Sequence, residues 1–279
     1  MSIKKWISFG LVYVVIVVAG YSIVTGLNPL ASGELDHDGH AAPNRLEEEE
    51  ERDHHAHNQQ GHGHHHGESD VEVDVTYNDQ KVIISVTDGD GAAPELAIQH
   101  EKEMHLIVVS KDLEHYLHLH PEKDQDGTYT VTQNLSEGTY HAFVDIAPVG
   151  KEYQTTPNPV QIGSTETSTT SLNPEEVWTK EVDGKPVTLE EVDAKAGADV
   201  PLVFEMHGKQ PETYLGALGH VVILDEHAEQ FIHVHPASED STTFHAHFPK
   251  AGMYKVWGEF KFDGKVHVYP FILKVTAQG

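Results

Sequence analysis

Two segments of this chain carry histidine at the same spacing. They are His105-Leu-Ile-Val-Val-Ser-Lys-Asp-Leu-Glu-His-Tyr-Leu-His-Leu-His-Pro121 and His220-Val-Val-Ile-Leu-Asp-Glu-His-Ala-Glu-Gln-Phe-Ile-His-Val-His-Pro236. In each, one histidine precedes a His-x-His-Pro by a fixed interval, so His105, His118 and His120 correspond to His220, His233 and His235. Neutral imidazoles suit copper and zinc, and three of them leave a coordination position open. The chemistry expected of these six residues is metal binding, one three-histidine set per copy.

That chemistry needs an element that gathers the rings. Residues i and i+2 of a β-strand share a face, so His118 and His120 point one way, as do His233 and His235. An antiparallel hairpin turning near Asp112-Leu113, or near His227-Ala228, sets His105 opposite His120 and His220 opposite His235. Opposed Cβ atoms lie about 4.5–5.5 Å apart, close enough for three ring nitrogens to meet one ion. The other faces, Leu106, Val108, Leu117 and Leu119, and Val221, Ile223, Ile232 and Val234, read as core. The plainer reading is that the rings hydrogen-bond backbone or one another and pin the hairpins. The spacing leaves open whether the two sets are separate or face each other across the junction.

Further candidate ligands are His141 and the His245-Ala-His247 pair, with His100 and Glu101 as loop ligands before the first hairpin. Met104 beside His105, and Met206 beside His207, are soft donors for cuprous copper, although strand neighbours point to opposite faces. Glu103, Asp145 and Glu259 are the candidate general bases, and His115 and His227 belong to the turns. No serine-histidine-acid arrangement, phosphate-cradling glycine loop or nucleotide signature is present. Cysteine is absent, which removes disulfides, thiolate sites and cysteine nucleophiles.

The 279 residues read as six regions. Lys4 and Lys5 precede an uncharged apolar run over residues 6–24, long enough to span a bilayer, with residues 1–5 inside and the bulk of the chain outside. A cleaved signal peptide is the rival reading. Residues 25–70 are polar, acidic and rich in histidine, a composition that supports no packed core and reads as a disordered tether able to bind metal weakly. Residues 71–163 and 174–277 each read as a set of short alternating strands, separated by a Ser/Thr-rich linker at 164–173. Asp183-Gly184 and Asp263-Gly264 are hairpin turns, and Pro270 marks an edge or a bulge. Gly138-Thr-Tyr140 with Phe143 repeats as Gly252-Met-Tyr254 with Trp257, which points to a duplication. The fold class is therefore all-β, two tandem immunoglobulin-like antiparallel sandwiches after a transmembrane helix and a tether. A net charge of −27 argues against nucleic acid as a partner and suits cations.

The hairpin strand, the His-Leu-His-Pro and the Gly-x-Tyr-x-x-Phe-x-Asp that follows resemble exported bacterial sandwich proteins, including YtkA-like domains, over residues 71–163 and 174–277. A more distant likeness is to the small copper-resistance sandwiches of the bacterial periplasm. The resemblance implies extracytoplasmic metal binding or delivery, with copper first and zinc next. The chain departs from the copper-resistance pattern in lacking a methionine-rich loop and a ligand histidine at a free N-terminus. The expected function is metal homeostasis, resistance or delivery at the plasma membrane, with metal ions and a delivery protein as partners and no catalysis. Two rivals are a metal-dependent enzyme of dismutase type, and a structural or adhesion module whose histidines are structural or sense acidity.

Overall fold

Alternating Val, Ile, Thr and Tyr between turn residues makes strands, and the computed structural model contains strands throughout its described residues, 69–125, 127–169 and 171–278. Residues 1–68, with the expected anchor and most of the tether, lie outside them, as do the side chains of His233 and His235. The first repeat contains β1 (Val71–Asn78), β2 (Lys81–Asp88), β3 (Leu96–Ala97), β4 (Met104–Ser110), β5 (Tyr116–Leu119), β6 (Glu122–Lys123), β7 (Tyr129–Thr132), β8 (Gly138–Pro148) and β9 (Pro157–Ile162). The second contains β10 (Thr179–Val182), β11 (Lys185–Leu189), β12 (Asp199–Glu205), β13 (His220–Asp225), β14 (Phe231–Pro236), β15 (Thr243–His247), β16 (Gly252–Phe262) and β17 (Lys265–Val275). All strand pairs are antiparallel.

In the first repeat a sheet ordered β1-β2-β7-β6 faces one ordered β3-β8-β4-β5, with β9 also paired to β8. Ile84 and Val86 from one sheet and Leu106, Val108, Val144 and Ile146 from the other close a core between them, so this repeat is a β-sandwich. In the second, one path, β10-β11-β12-β15-β14-β13-β16-β17, folds over a core of Leu202, Phe204, Val221, Ile223, Phe260 and Phe271. Its far strands approach: the Tyr269 hydroxyl on β17 donates to the Lys185 carbonyl at the head of β11 at 3.0 Å. In each repeat the tyrosine of Gly-x-Tyr donates to the carbonyl four residues earlier, Tyr140 to Ser136 at 3.2 Å and Tyr254 to Lys250 at 2.9 Å.

Both hairpins have the register their sequences imply. Leu106 pairs with Leu119 and Val221 with Val234, which puts His105 and His120, and His220 and His235, at the next rung. The turns bend at Leu113 (φ 61°) and Ala228 (φ 55°). Pro270 lies on β17, an edge strand that needs no amide there. Three strands lack the alternation of the others. β3 and β6 are two residues long, and β9 carries Pro157 and Pro159 at a sheet edge, where prolines cost few ladder bonds.

The 164–173 stretch is tied to the first sandwich and is not merely a spacer. Thr165 donates its hydroxyl to the Glu137 carboxylate at 3.0 Å, and the Thr167 hydroxyl accepts the Thr139 amide at 3.1 Å. Leu172 is buried between the two repeats. Both repeats fall within one compact unit.

Candidate metal centre

The histidine-bearing faces of the two hairpins pack against each other. Ile107, Val109 and Phe143 of the first repeat meet Val222, Leu224 and Trp257 of the second in a buried apolar cluster, with Tyr116 and Phe231 against it. At one end of this cluster the apolar side chains give way to imidazoles. His105 and His220, equivalent residues of the two copies, stack with centroids 5.6 Å apart and planes 19° apart. The His118 ring lies 4.8 Å from His120 and 5.2 Å from both His105 and His220. The His100 ring meets His220 edge-on at 4.9 Å. A cavity of about 10 Å³, room for one water-sized sphere, is lined by His105, His118, Asp145 and His220 among others.

Carboxylates enter from the strands alongside. Asp145 on β8 is opposite His105, and Glu259 on β16 is opposite His220. The two occupy equivalent positions, seven residues after Gly138 and Gly252. Gly219 makes the second pairing close. A Cβ there would lie 2.5 Å from the Phe260 ring and 2.9 Å from the Glu259 carbonyl oxygen, so any larger residue would push β13 away from β16.

Hydrogen bonds link the cluster in a chain. His105 Nε2 donates to the Gln99 carbonyl at 3.0 Å, His105 Nδ1 and His118 Nε2 lie 2.9 Å apart, and His118 Nδ1 lies 2.8 Å from Glu259 Oε2. A carbonyl only accepts, so His105 carries a proton on Nε2, and as a neutral ring it accepts at Nδ1. His118 then donates at Nε2, and the link to Glu259 needs a further proton. The chain is complete only with one proton more than two neutral imidazoles and a carboxylate supply. The His118–Glu259 pair at its end is buried, with side chains 3% and 2% exposed.

His120 stands apart from this chain. Its Nε2 is buried and has no hydrogen-bond partner, an arrangement that costs about 1–3 kcal/mol and suits a group waiting to ligate. Burial, with the charges of His118, His105 and Lys102, lowers its pKa to about 3. The ring is therefore neutral, as a metal ligand must be. Its folded pKa lies below the unfolded value of about 6.5. Its contribution to stability is thus complete above pH 6.5 and is lost as pH falls toward 3. We expect the metal-free protein to weaken across that window in urea titrations, and His120→Gln to flatten the slope; equal slopes for the two proteins would contradict the assignment.

Two overlapping donor sets result, His105/His118/His120 and His118/His220/Glu259, each with donor atoms within 4.8 Å of one another. A tetrahedral ion with bonds of 2.0–2.1 Å needs donors about 3.3 Å apart, a spacing within the reach of both sets. The wall beside them is aromatic. Tyr116 stacks on Trp257 at 4.7 Å, and its buried hydroxyl faces Glu259 outside hydrogen-bond geometry. Burial first, then the Glu259 charge, push that hydroxyl's pKa up, and the same two causes raise Tyr214, whose ring meets His220 at 6.3 Å. His100 and Glu101 form a tight turn, both in the left-handed region (φ 46° and 66°), closed by two backbone bonds between Gln99 and Lys102 at 2.8 and 3.0 Å. Strain of this kind tends to collect at ligand sites.

The spacing leaves open whether the two sets face each other; in the structure His220 sits among the first-copy rings, because the two histidine faces pack together. His233 and His235 lie on β14, with side chains outside the described residues. Met104 is not with the cluster; it is buried in the first sandwich core, across β4 from His105. Met206 lies in the second core, and His207 bonds the Thr188 hydroxyl at 2.7 Å. His141 is opposite Val109, four residues along β8 from Asp145, and burial lowers its pKa. His245 and His247 are exposed on β15, with His245 Nδ1 2.7 Å from Asp199 Oδ2. Glu103 accepts the Tyr129 hydroxyl at 2.9 Å and is in neither donor set. The sequence reading named Glu259 only as a base and did not single out Tyr116, Tyr214 or the Gln99 carbonyl. The common offset from Gly138 and Gly252 was the available sign for the carboxylates.

None of the curated proteins compared with the chain matches its sequence. Among solved structures it is similar to the Bacteroides ovatus mixed-linkage glucan utilization protein SGBP-B, with 14% identity, 75% of this chain and 48% of that one covered, and a TM-score of 0.21. It is also similar to the FN1–FN3 domains of chicken CNTN1 (10% identity, 72% and 63% covered, TM-score 0.20) and to a three-Ig structure of titin (12%, 71% and 58%, 0.22). The chain thus spans about half the length of the first of these, 48%. A family model, by contrast, matches most of the chain, in two stretches that follow the two repeats, 72–163 and 180–277. The chain belongs to the family described as Domain of unknown function (DUF8832).

Proposed function

We propose that this protein binds a transition-metal ion between its two repeats, copper first and zinc next, and serves metal homeostasis, resistance or delivery outside the cytoplasm. The observation that carries the reading is the convergence of His105, His118 and His220 on one small cavity, with His120, its Nε2 orphaned, in the same donor set as the first two. Residues 6–24 would anchor the chain in the plasma membrane, and the histidines of residues 25–70 would collect ions at low affinity. The repeats are read as immunoglobulin-like, supported by the tyrosine-to-carbonyl bond of each.

Thermal unfolding of the full chain tests this, with a variant that keeps every tether histidine as the control for ions held there. Copper or zinc at a hundred times its Kd should stabilise the fold by about 2.7 kcal/mol. The triple variant His105→Ala, His118→Ala, His120→Ala should show no rise. An equal rise in both proteins, or none in either, would overturn the proposal.

A second reading draws on the hydrogen-bond chain from Gln99 to Glu259: the rings serve as a structural, proton-holding hub. Stability that follows pH between about 5 and 7 and ignores metal would favour it.

A further inference from the structure

We infer that the centre takes two divalent ions, with His118 between them; this rests on the metal-binding reading above. The two nitrogens of an imidazole lie on opposite sides of the ring, and those of His118 are turned to different neighbours. Nε2 is 2.9 Å from His105 Nδ1, in the set completed by His120. Nδ1 is 2.8 Å from Glu259 Oε2, in the set completed by His220. His118 is the one residue common to both sets.

A carboxylate bonded to the outer nitrogen of a ligand histidine commonly does no more than orient it. Here a third donor stands on that side. His220 joins Glu259 and His118 within coordinating range, so the outer side has two nitrogens and an oxygen of its own, a donor set suited to zinc or copper. Charge favours the same occupancy. Glu259 is buried within the outer donor set, and Asp145 occupies the equivalent place beside His105 and lines the cavity, so a carboxylate accompanies each side. Loading both sides strips the protons from the His105–His118–Glu259 links and leaves His118 as a bridging imidazolate; the protons go to solvent and no electrons move.

The test uses the full chain with the nine tether histidines (positions 37, 40, 54, 55, 57, 62, 64, 65 and 66) changed to alanine. It is loaded with copper(II) alone and washed with glycine to remove weakly held ions. Two coppers per chain are expected, with an electron paramagnetic resonance signal that integrates to well under the copper present, because spins across an imidazolate couple. Glu259→Gln and, independently, His220→Asn should each reduce the count to one and restore a full isolated-ion signal, both variants still unfolding cooperatively. One copper in the parent, two uncoupled coppers, or two coppers retained in both variants would overturn the inference and leave single-ion binding standing. No retained copper would overturn the metal-binding reading itself.

Discussion

Replacing His118 with alanine is expected to cost the metal-free protein about 3–5 kcal/mol, because it strands the Glu259 carboxylate in a buried site. The His118 and Glu259 side chains come from different repeats and are almost wholly inside. Their attraction offsets a large desolvation cost only while both are present. The same substitution removes the partner of His105 Nδ1 and the residue shared by both donor sets. Metal affinity should fall by at least about 100-fold, beyond what loss of an orienting group alone produces. Adding Glu259→Leu to His118→Ala should restore most of the stability but none of the affinity, since apolar replacements of a buried pair are often neutral or better. Urea midpoints across this cycle check the argument. A loss below about 1 kcal/mol for His118→Ala, typical of an exposed pair, would mean that the pair is not buried as described.

Trp257→Ala should cost about 3–5 kcal/mol, the range for deleting a large buried aromatic. Trp257 is 2% exposed, stacks on Tyr116 across the junction, and lies under the ammonium of Lys255 at 5.8 Å. Lys255 in turn donates to the Leu113 carbonyl at 2.7 Å and to Glu114 at 3.1 Å, both in the turn of the first hairpin. These contacts hold the two hairpin faces together. Trp257 also shares the junction face of β16 with Glu259, two residues on. A void there should let Glu259 and His220 shift away from His118, so the metal-induced rise in Tm should shrink as well. Phe271→Ala, in the second core and away from the junction, should cost similar stability yet keep the metal-induced rise. Equal loss of that rise in both variants would argue that the centre does not depend on the junction.

Much of this arrangement could be read from residue order. Hairpin register followed from the alternation of Leu106, Val108, Leu117 and Leu119 with the histidines, and the turns fell where Leu113 and Ala228 adopt positive φ. Strands are legible wherever β-branched and aromatic residues alternate, and are not where the strand is two residues long, as β3 and β6, or interrupted by proline, as β9. The packing of one histidine face on the other was not read. Yet a sign was present: Leu106–Val109 and Val221–Leu224 are unbroken apolar runs, which belong to strands buried on both sides. All seven residues of β4 are indeed buried. The placing of Glu259 against His118 needed coordinates, because the two are 141 positions apart and in different repeats.

Anomalous diffraction at the copper and zinc edges from metal-loaded crystals is the most direct test of the claim that the two repeats share one centre. The account predicts peak density among His105, His118, His120 and His220, with coordination drawn from both repeats. Density bound by the histidines of one repeat alone, or confined to the exposed His245 and His247, would contradict it.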